Sequence, residues 1–235
     1  MTTRVFSAPF FEVGPKTFLS RRQLLELASD ASEAAIEYDV AVIMTTPALD
    51  IEKVKARTPT LWVFAQHVDP KRPGRSTGAI VPEALRDVGA DGVMLNHFEK
   101  PLSFDDLTVT IERAHEVELL TLVCADTDAD AERYAALHPQ LLLAEPPHLI
   151  GAPGGIERPW IRELNDRIAR IDRNILVMHS GGIGSSDDVY NVIREGASGT
   201  GATSAIVNSP QPGLMARNMI RAVREAWNDR HAEDS

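Results

Sequence analysis

Leu141-Leu-Leu-Ala-Glu145-Pro-Pro-His-Leu-Ile-Gly-Ala-Pro-Gly-Gly155 runs four apolar residues into a carboxylate and then into a loop framed by proline and glycine. Such a short apolar run bounded by turn signals reads as a fully buried strand. In a parallel barrel the C-terminal end of a strand is where working groups are presented, which makes Glu145 the first candidate for chemistry. The loop beyond it has the composition of a lid. Pro146 and Pro147 stiffen one side, while Gly151, Gly154 and Gly155 permit changes of backbone angle on the other. Taken alone, an acid at a strand end before a Pro-rich turn is also ordinary loop chemistry.

The same strand-then-helix rhythm extends outward from this segment. Upstream, Val5 to Val13 reads as a strand ended by Gly14-Pro15, which leaves Lys16 at its C-terminal end. Ser20 caps a helix over residues 21–36, whose apolar positions recur on a helical period. Strands are expected over 40–44 and 60–64, with a short helix over 47–54 between them, followed by a polar loop from Lys71 to Gly78. Pro82 opens a helix that Gly89 closes, and the strand 92–96 delivers His97, with Glu99 close behind. Ser103 caps a helix over 104–117, and a strand over 119–124 and a helix over 130–137 lead into the Leu141 strand. Downstream, a helix over 160–171, a strand over 175–178, the small-residue turn His179-Ser-Gly-Gly-Ile-Gly184 and a helix over 187–195 follow in order. A weak strand over 199–205 and a helix over 214–227 complete the pattern, with a polar C-terminal tail expected to fray from about residue 229. Strands and helices alternating in units of roughly 25 to 30 residues call for a single-domain (β/α)8 barrel spanning residues 1–235, with an open doubly wound sheet as the alternative.

Composition narrows the function classes. The 235 residues carry 34 acids against 24 bases, a net charge of −10, with no basic stripe, so a nucleic-acid partner is not expected. No tract reaches the ~18 consecutive apolar residues of a membrane span, and the N-terminal segment is a poor secretory signal, so the expectation is no membrane partner and a cytoplasmic location. The single cysteine, Cys124, lies in an apolar run and reads as a buried strand residue; no internal disulfide can form. The histidines show no HxH or HExxH spacing, so no metal site is expected.

In a barrel, Lys16, His97 and Glu145 would face one mouth, beside the glycine-rich turn 180–184 and the pair Ser204-Ala205, where barrels commonly bind phosphate through backbone N–H groups. A base, an imidazole, a cation and a phosphate cradle are the parts needed to shift a proton next to the carbonyl of a phosphorylated substrate. At these positions the chain resembles the triosephosphate isomerase family, particularly its compact archaeal type. The resemblance is carried by Phe64-Ala-Gln-His-Val-Asp-Pro70 with Ser76-Thr-Gly78, by Leu95-Asn-His-Phe-Glu-Lys100, by Ala144-Glu-Pro-Pro-His-Leu-Ile-Gly151, and by Gly182-Ile183 with Asp187-Asp188. It implies that Glu145 is the base, that His97 is a neutral electrophile, that Lys16 supplies positive charge, and that Glu99 is a second glutamate near both. It further implies amide donors to phosphate at Gly151, Gly182, Ile183, Ser204 and Ala205, a lid from Pro146 to Gly155, and a cofactor-free reaction on a small phosphorylated sugar. A homodimer or homotetramer, built through Gln66 and the 71–78 loop, is implied as well.

The chain also departs from that pattern. Gly14 stands where the family places Asn, and Phe98 where it places Ser. Pro101 disfavours helix at Lys100, so the short helix beside the imidazole is expected to be truncated. His148 replaces a lid Glu, Ser180-Gly181 replaces Gly-Ala, and the last strand is polar. The altered shell leaves two other readings open beside a triosephosphate isomerase: an isomerase of another small ketose phosphate such as an erythrulose phosphate, or a catalytically impaired sugar-phosphate-binding relative.

Overall fold

The computed structural model describes residues 4–152 and 154–233; Pro153 of the expected lid lies outside them. Eight parallel strands pair in chain order and close on themselves. They are β1 (Phe10–Val13), β2 (Ala41–Thr46), β3 (Trp62–Ala65), β4 (Gly92–Leu95), β5 (Leu120–Ala125), β6 (Leu141–Ala144), β7 (Leu176–His179) and β8 (Gly199–Ala202). Phe10 sits opposite both Ala41 and Gly199, which makes β1 the seam of the barrel.

Side chains alternate across each strand, so one set fills the barrel and the other faces the helices. The interior set is Phe10, Ile43, Trp62, Phe64, Met94, Leu122, Cys124, Leu141, Leu143 and Met178, a packed plug rather than a channel. Phe11, Val13, Val42, Met44, Val63 and Val93 point outward into a second core shared with the helices. The helices are α1 (Arg21–Tyr38), α2 (Ile51–Arg57), α3 (Pro82–Asp87), α4 (Phe104–Glu116), α5 (Asp128–Ala135), α6 (Ile161–Ile171), α7 (Ser186–Arg194), α8 (Ser204–Val207) and α9 (Pro212–Glu233). Ser20, Ser103, Thr127 and Ser185 each cap a helix by accepting a backbone N–H, and Ser20 forms a reciprocal capping box with Gln23.

Several boundaries shift by a few residues, and three of the differences have a visible reason. The first strand starts at Phe10 rather than Val5, because Phe6 stacks edge-on against Phe10 and Trp62, with centroids 5.2 and 5.1 Å away. Arg4 covers the Trp62 ring at 3.7 Å, so this segment closes the N-terminal end of the barrel instead of extending the sheet. The last strand ends at Ala202, and Ser204–Val207 turns into a helix. The C-terminal helix continues to Glu233 past the expected tail boundary, since Tyr190 donates to Asp229 at 2.8 Å and Arg230 donates to the carbonyls of Ile193 and Ala197.

The poverty of β8 in apolar bulk has a packing cause. A Cβ at Gly199 would lie 2.6 Å from the Phe10 ring, and one at Gly201 would lie 2.6 Å from Met178 and 2.7 Å from the Glu12 carboxylate. Glycine there leaves room for large neighbours. Gly199→Val should therefore destabilise the protein by about 1–3 kcal/mol through overpacking. The measurement is the urea midpoint at unchanged m-value, and a midpoint equal to the parent's would mean that the seam is not packed against Phe10.

Candidate active site

The C-terminal ends of the strands surround a cavity of about 500 Å³, within the size range of small-molecule sites. Glu12, Lys16, His97, Glu99, Glu145, Gly151, Gly182, Ile183 and Ser204 all line it. Ala205 is not among the lining residues; it packs against the core between barrel and helices. Among the described residues no group of three or more His, Cys, Asp or Glu could hold a metal ion, and no helix is long and apolar enough to cross a membrane.

His97 follows β4 in a turn, not a helix: Lys100 N–H bonds back to the His97 carbonyl at 2.7 Å, and Pro101 stops any continuation. Asn96 anchors that turn in a left-handed conformation, donating to the Cys124 carbonyl at 3.1 Å and accepting the Leu102 N–H at 2.9 Å. Glu99 N–H donates to His97 Nδ1 at 3.1 Å. An Nδ1 that accepts carries no proton, so the neutral ring holds its proton on Nε2. That atom lies 3.7 Å from Glu145 Oε2. Burial, helped by the nearby Lys16 charge and opposed by Glu99, holds the imidazole below its ordinary pKa.

Glu145 continues β6, its N–H pairing with the Ala125 carbonyl at 3.0 Å. Burial pushes its carboxyl above the usual range, while Ser180 and Lys16 pull the other way. Lys16 sits at a left-handed φ of 46°, and Gln66 holds that turn by donating to the Lys16 carbonyl at 2.8 Å and to that of Thr45 at 3.2 Å. A non-glycine residue in this conformation stores strain that the surroundings must over-determine. Here the result is an ammonium aimed into the mouth and paired with Glu99 at 2.7 Å, a bond that lowers the Glu99 pKa.

The segment expected to form the lid packs against the turn after β7. Gly181 and Gly182 have φ of 82° and 63°; a Cβ on Gly181 would meet Leu149 at 2.9 Å and one on Gly182 would meet Ile156 at 2.7 Å. Asp188 receives hydrogen bonds from Gly155 N–H, from Gly184 N–H at 3.0 Å and from the Ser185 hydroxyl at 2.8 Å. Buried Arg158 donates to the carbonyls of Ser180 and Gly181. The C-terminal side of the lid is thus tied to the glycine turn by two charged residues.

Arg158 escaped the sequence reading because one arginine in a polar stretch carries no spacing signal. Asp188 was visible only as part of a motif. Glu12 was missed as well, although one acid at an inward register of an otherwise apolar strand is a readable signal. It is 5% exposed, accepts the Thr45 hydroxyl, and burial raises its pKa to about 7, with Glu145 adding to the rise and Thr45 and Lys16 opposing it.

One ionisable carboxyl facing a neutral imidazole, with a cation and a glycine turn beside them, defines a barrel equipped for proton transfer on an anionic small molecule. The profile of the triosephosphate isomerase family matches residues 13–220. A triosephosphate isomerase of Sulfolobus acidocaldarius is 30% identical over 211 residues, which span 89% of this chain and 91% of that protein. One from Sulfurisphaera tokodaii is 34% identical over 200 residues, spanning 83% and 86%. The crystal structure of a triosephosphate isomerase from Bartonella henselae superposes with a TM-score of 0.75 at 14% identity, over 92% of this chain and 99% of that one, a likeness of fold. The chain belongs to the triosephosphate isomerase family.

His179, at the end of β7, is 1% exposed and makes a 2.8 Å contact from Nε2 to Asn165 Oδ1; burial, assisted by the Arg158 charge, lowers its pKa to about 3. The folded state keeps it neutral while the unfolded chain protonates it near pH 6.5. Its contribution is therefore fully present above that pH and is lost progressively toward pH 3. Relative to His179→Gln, the parent should lose about 2 kcal/mol between pH 7.5 and pH 5 in urea titrations. A difference independent of pH would show that His179 is not buried as the neutral ring.

Proposed function

We propose that this protein is an aldose–ketose isomerase that interconverts glyceraldehyde 3-phosphate and dihydroxyacetone phosphate by proton transfer through an enediolate. The observation that carries the reading is the approach of His97 Nε2 to Glu145 Oε2 at 3.7 Å inside one cavity that Lys16 also lines. Ionised Glu145 removes a proton from the carbon beside the carbonyl and returns it to the neighbouring carbon. Its raised pKa makes it a stronger base once ionised. His97, neutral and protonated on Nε2, donates to the carbonyl oxygen and then to the enediolate oxygens, a division of labour for which triosephosphate isomerase is itself the standard case. Lys16 stabilises the developing negative charge and the phosphate dianion, and Glu99 holds the ammonium in place. Gly151, Gly182, Ile183 and Ser204, which line the cavity, furnish backbone amides for the phosphate. The lid from Pro146 to Gly155 keeps water from an intermediate that would otherwise eliminate phosphate. The proton removed is returned and no electron leaves the substrate, so the reaction balances without a cofactor.

The name triosephosphate isomerase carried by the compared relatives favours a triose over a four-carbon ketose phosphate as substrate. The convergence of the three polar groups in one cavity counts against an impaired binding module. A cytoplasmic enzyme of glycolysis and gluconeogenesis, without nucleic-acid or membrane partners, belongs to the same proposal, as does assembly into a homodimer or homotetramer. Support for assembly comes from the 71–78 loop, exposed along nearly all its length, and from Phe18 and Phe98, which are 62% and 54% exposed near the mouth.

The test is turnover of glyceraldehyde 3-phosphate, with exchange of the transferred proton into solvent. Glu145→Asp, which withdraws the carboxylate by about one methylene, should lower kcat by roughly 10²-fold while phosphate binding is kept. Parental turnover in that variant would remove Glu145 from the role of base. Light scattering on the purified protein should give twice or four times the 25.7 kDa chain mass, and a monomer would refute the assembly.

A further inference from the structure

The family places an amide side chain two residues before the lysine, and this chain has Gly14 there. The space is not empty. A Cβ at Gly14 would lie 2.8 Å from Glu12 Oε1 and 3.1 Å from Oε2, so the Glu12 carboxyl has moved into the volume that a side chain at position 14 would claim. Gly201 on the neighbouring strand is glycine for the same reason, since its Cβ would lie 2.7 Å from Glu12 Oε2. The Thr45 hydroxyl donates to Oε1 and fixes the carboxyl plane. Oε2 has no donor among the described residues, and the carboxyl lines the cavity that also contains Glu145, His97 and Lys16. A side chain this deeply buried, with one oxygen anchored and the other presented to a substrate cavity, is a built recognition element.

We propose that Glu12 is a specificity-determining residue whose carboxyl donates a hydrogen bond from Oε2 to an oxygen of the sugar-phosphate carbon chain, in the place left open by Gly14. This rests on the isomerase reading for the identity of the ligand. The donor form is the neutral acid, and its environment favours that form: the raised pKa comes from burial, and the charged or ionisable groups around it are Lys16 from the β1 end, Glu145 from the β6 end and the Cys124 thiol from β5. An ionised Glu12 would set a second anion beside the base Glu145, whereas the neutral acid adds a donor without adding charge. Thr45 keeps an alternative acceptor in the Val13 carbonyl at 3.3 Å, so truncating Glu12 leaves no hydroxyl stranded.

The experiment compares the parent, Glu12→Leu and Glu12→Gln by calorimetric titration with glycerol 3-phosphate and, separately, with inorganic phosphate, between pH 6 and pH 8. Glycerol 3-phosphate carries the carbon-chain hydroxyls and inorganic phosphate does not; because both ligands ionise near neutral pH and Glu145 and His97 share the cavity, the ratio of their affinities in each protein is read against that of Glu12→Gln at the same pH. At pH 6, Glu12→Leu should lower that ratio about five- to tenfold, the value of one hydrogen bond. Glu12→Gln, which keeps an N–H donor and the shape, should stay within about twofold of the parent. As pH rises through about 7, the parent's ratio should move from that of Glu12→Gln toward that of Glu12→Leu measured at the same pH. A purely structural Glu12 would give the same ratio in all three proteins at each pH, which would overturn the proposal, and a parental ratio that climbs with pH relative to that of Glu12→Gln would overturn the assignment of Glu12 as donor. Turnover of glyceraldehyde 3-phosphate is assayed on the same preparations. A parent that shows the Glu12-dependent ratio without turnover refutes the isomerase reading and leaves the recognition site, whereas full turnover with three identical ratios refutes Glu12 alone.

Discussion

The β1–β8 seam is the constraint on which the rest of the molecule depends. Parallel strands close into a barrel only when the last strand can lie against the first without clashing. Here β1 brings two bulky inward groups to that contact, Phe10 and Glu12. Closure is possible because β8 meets them with Gly199 and Gly201, while the Thr200 hydroxyl between them donates to the His179 carbonyl at 2.8 Å and ties β8 back to β7. Once the ring is shut, the C-terminal ends of all the strands emerge on one rim, and side chains separated by more than a hundred residues become neighbours. The catalytic candidates meet because the seam holds, not because any of them attracts another.

Electrostatics within the mouth follow from placing several ionisable groups in one half-dry cavity. Glu145 and Glu12 are both raised by burial, and each would repel the other if both were charged. Lys16 offsets part of that cost and is itself steered by Glu99. His97 avoids the problem by remaining neutral, a state dictated by the Glu99 N–H on its Nδ1 and reinforced by burial. Loss of the short helix after His97 therefore does not remove the control of its proton: a turn and one backbone hydrogen bond set the tautomer.

The loop after β6 illustrates how a segment rich in glycine can still be held at one end. Asp188 gathers two backbone N–H groups and a hydroxyl, which holds its carboxyl below the usual range although burial pulls upward, and Arg158 bonds the carbonyls of the opposing turn. Both anchors act on the C-terminal side, whereas Gly151 near the N-terminal side lines the cavity directly.

What the sequence determined by itself was periodic. Apolar runs such as Leu141–Ala144, the helix caps at Ser20 and Ser103, and the placement of Lys16, His97 and Glu145 after strands are local properties, and local properties survive reading in one dimension. The barrel and the convergence of Lys16, His97 and Glu145 at its mouth were legible on that basis. Tertiary structure decided what depends on a neighbour distant in the chain. Whether Phe6 extends a strand or plugs the barrel depends on Trp62, and how far the last helix runs depends on Tyr190 and the carbonyls of Ile193 and Ala197. Why β8 is built of glycine depends on Phe10 and Glu12, and what Glu12 can do depends on Thr45, Gly14 and Gly201. The shape and charge of a cavity are properties of the space between strands, and that space exists only once the chain has closed on itself.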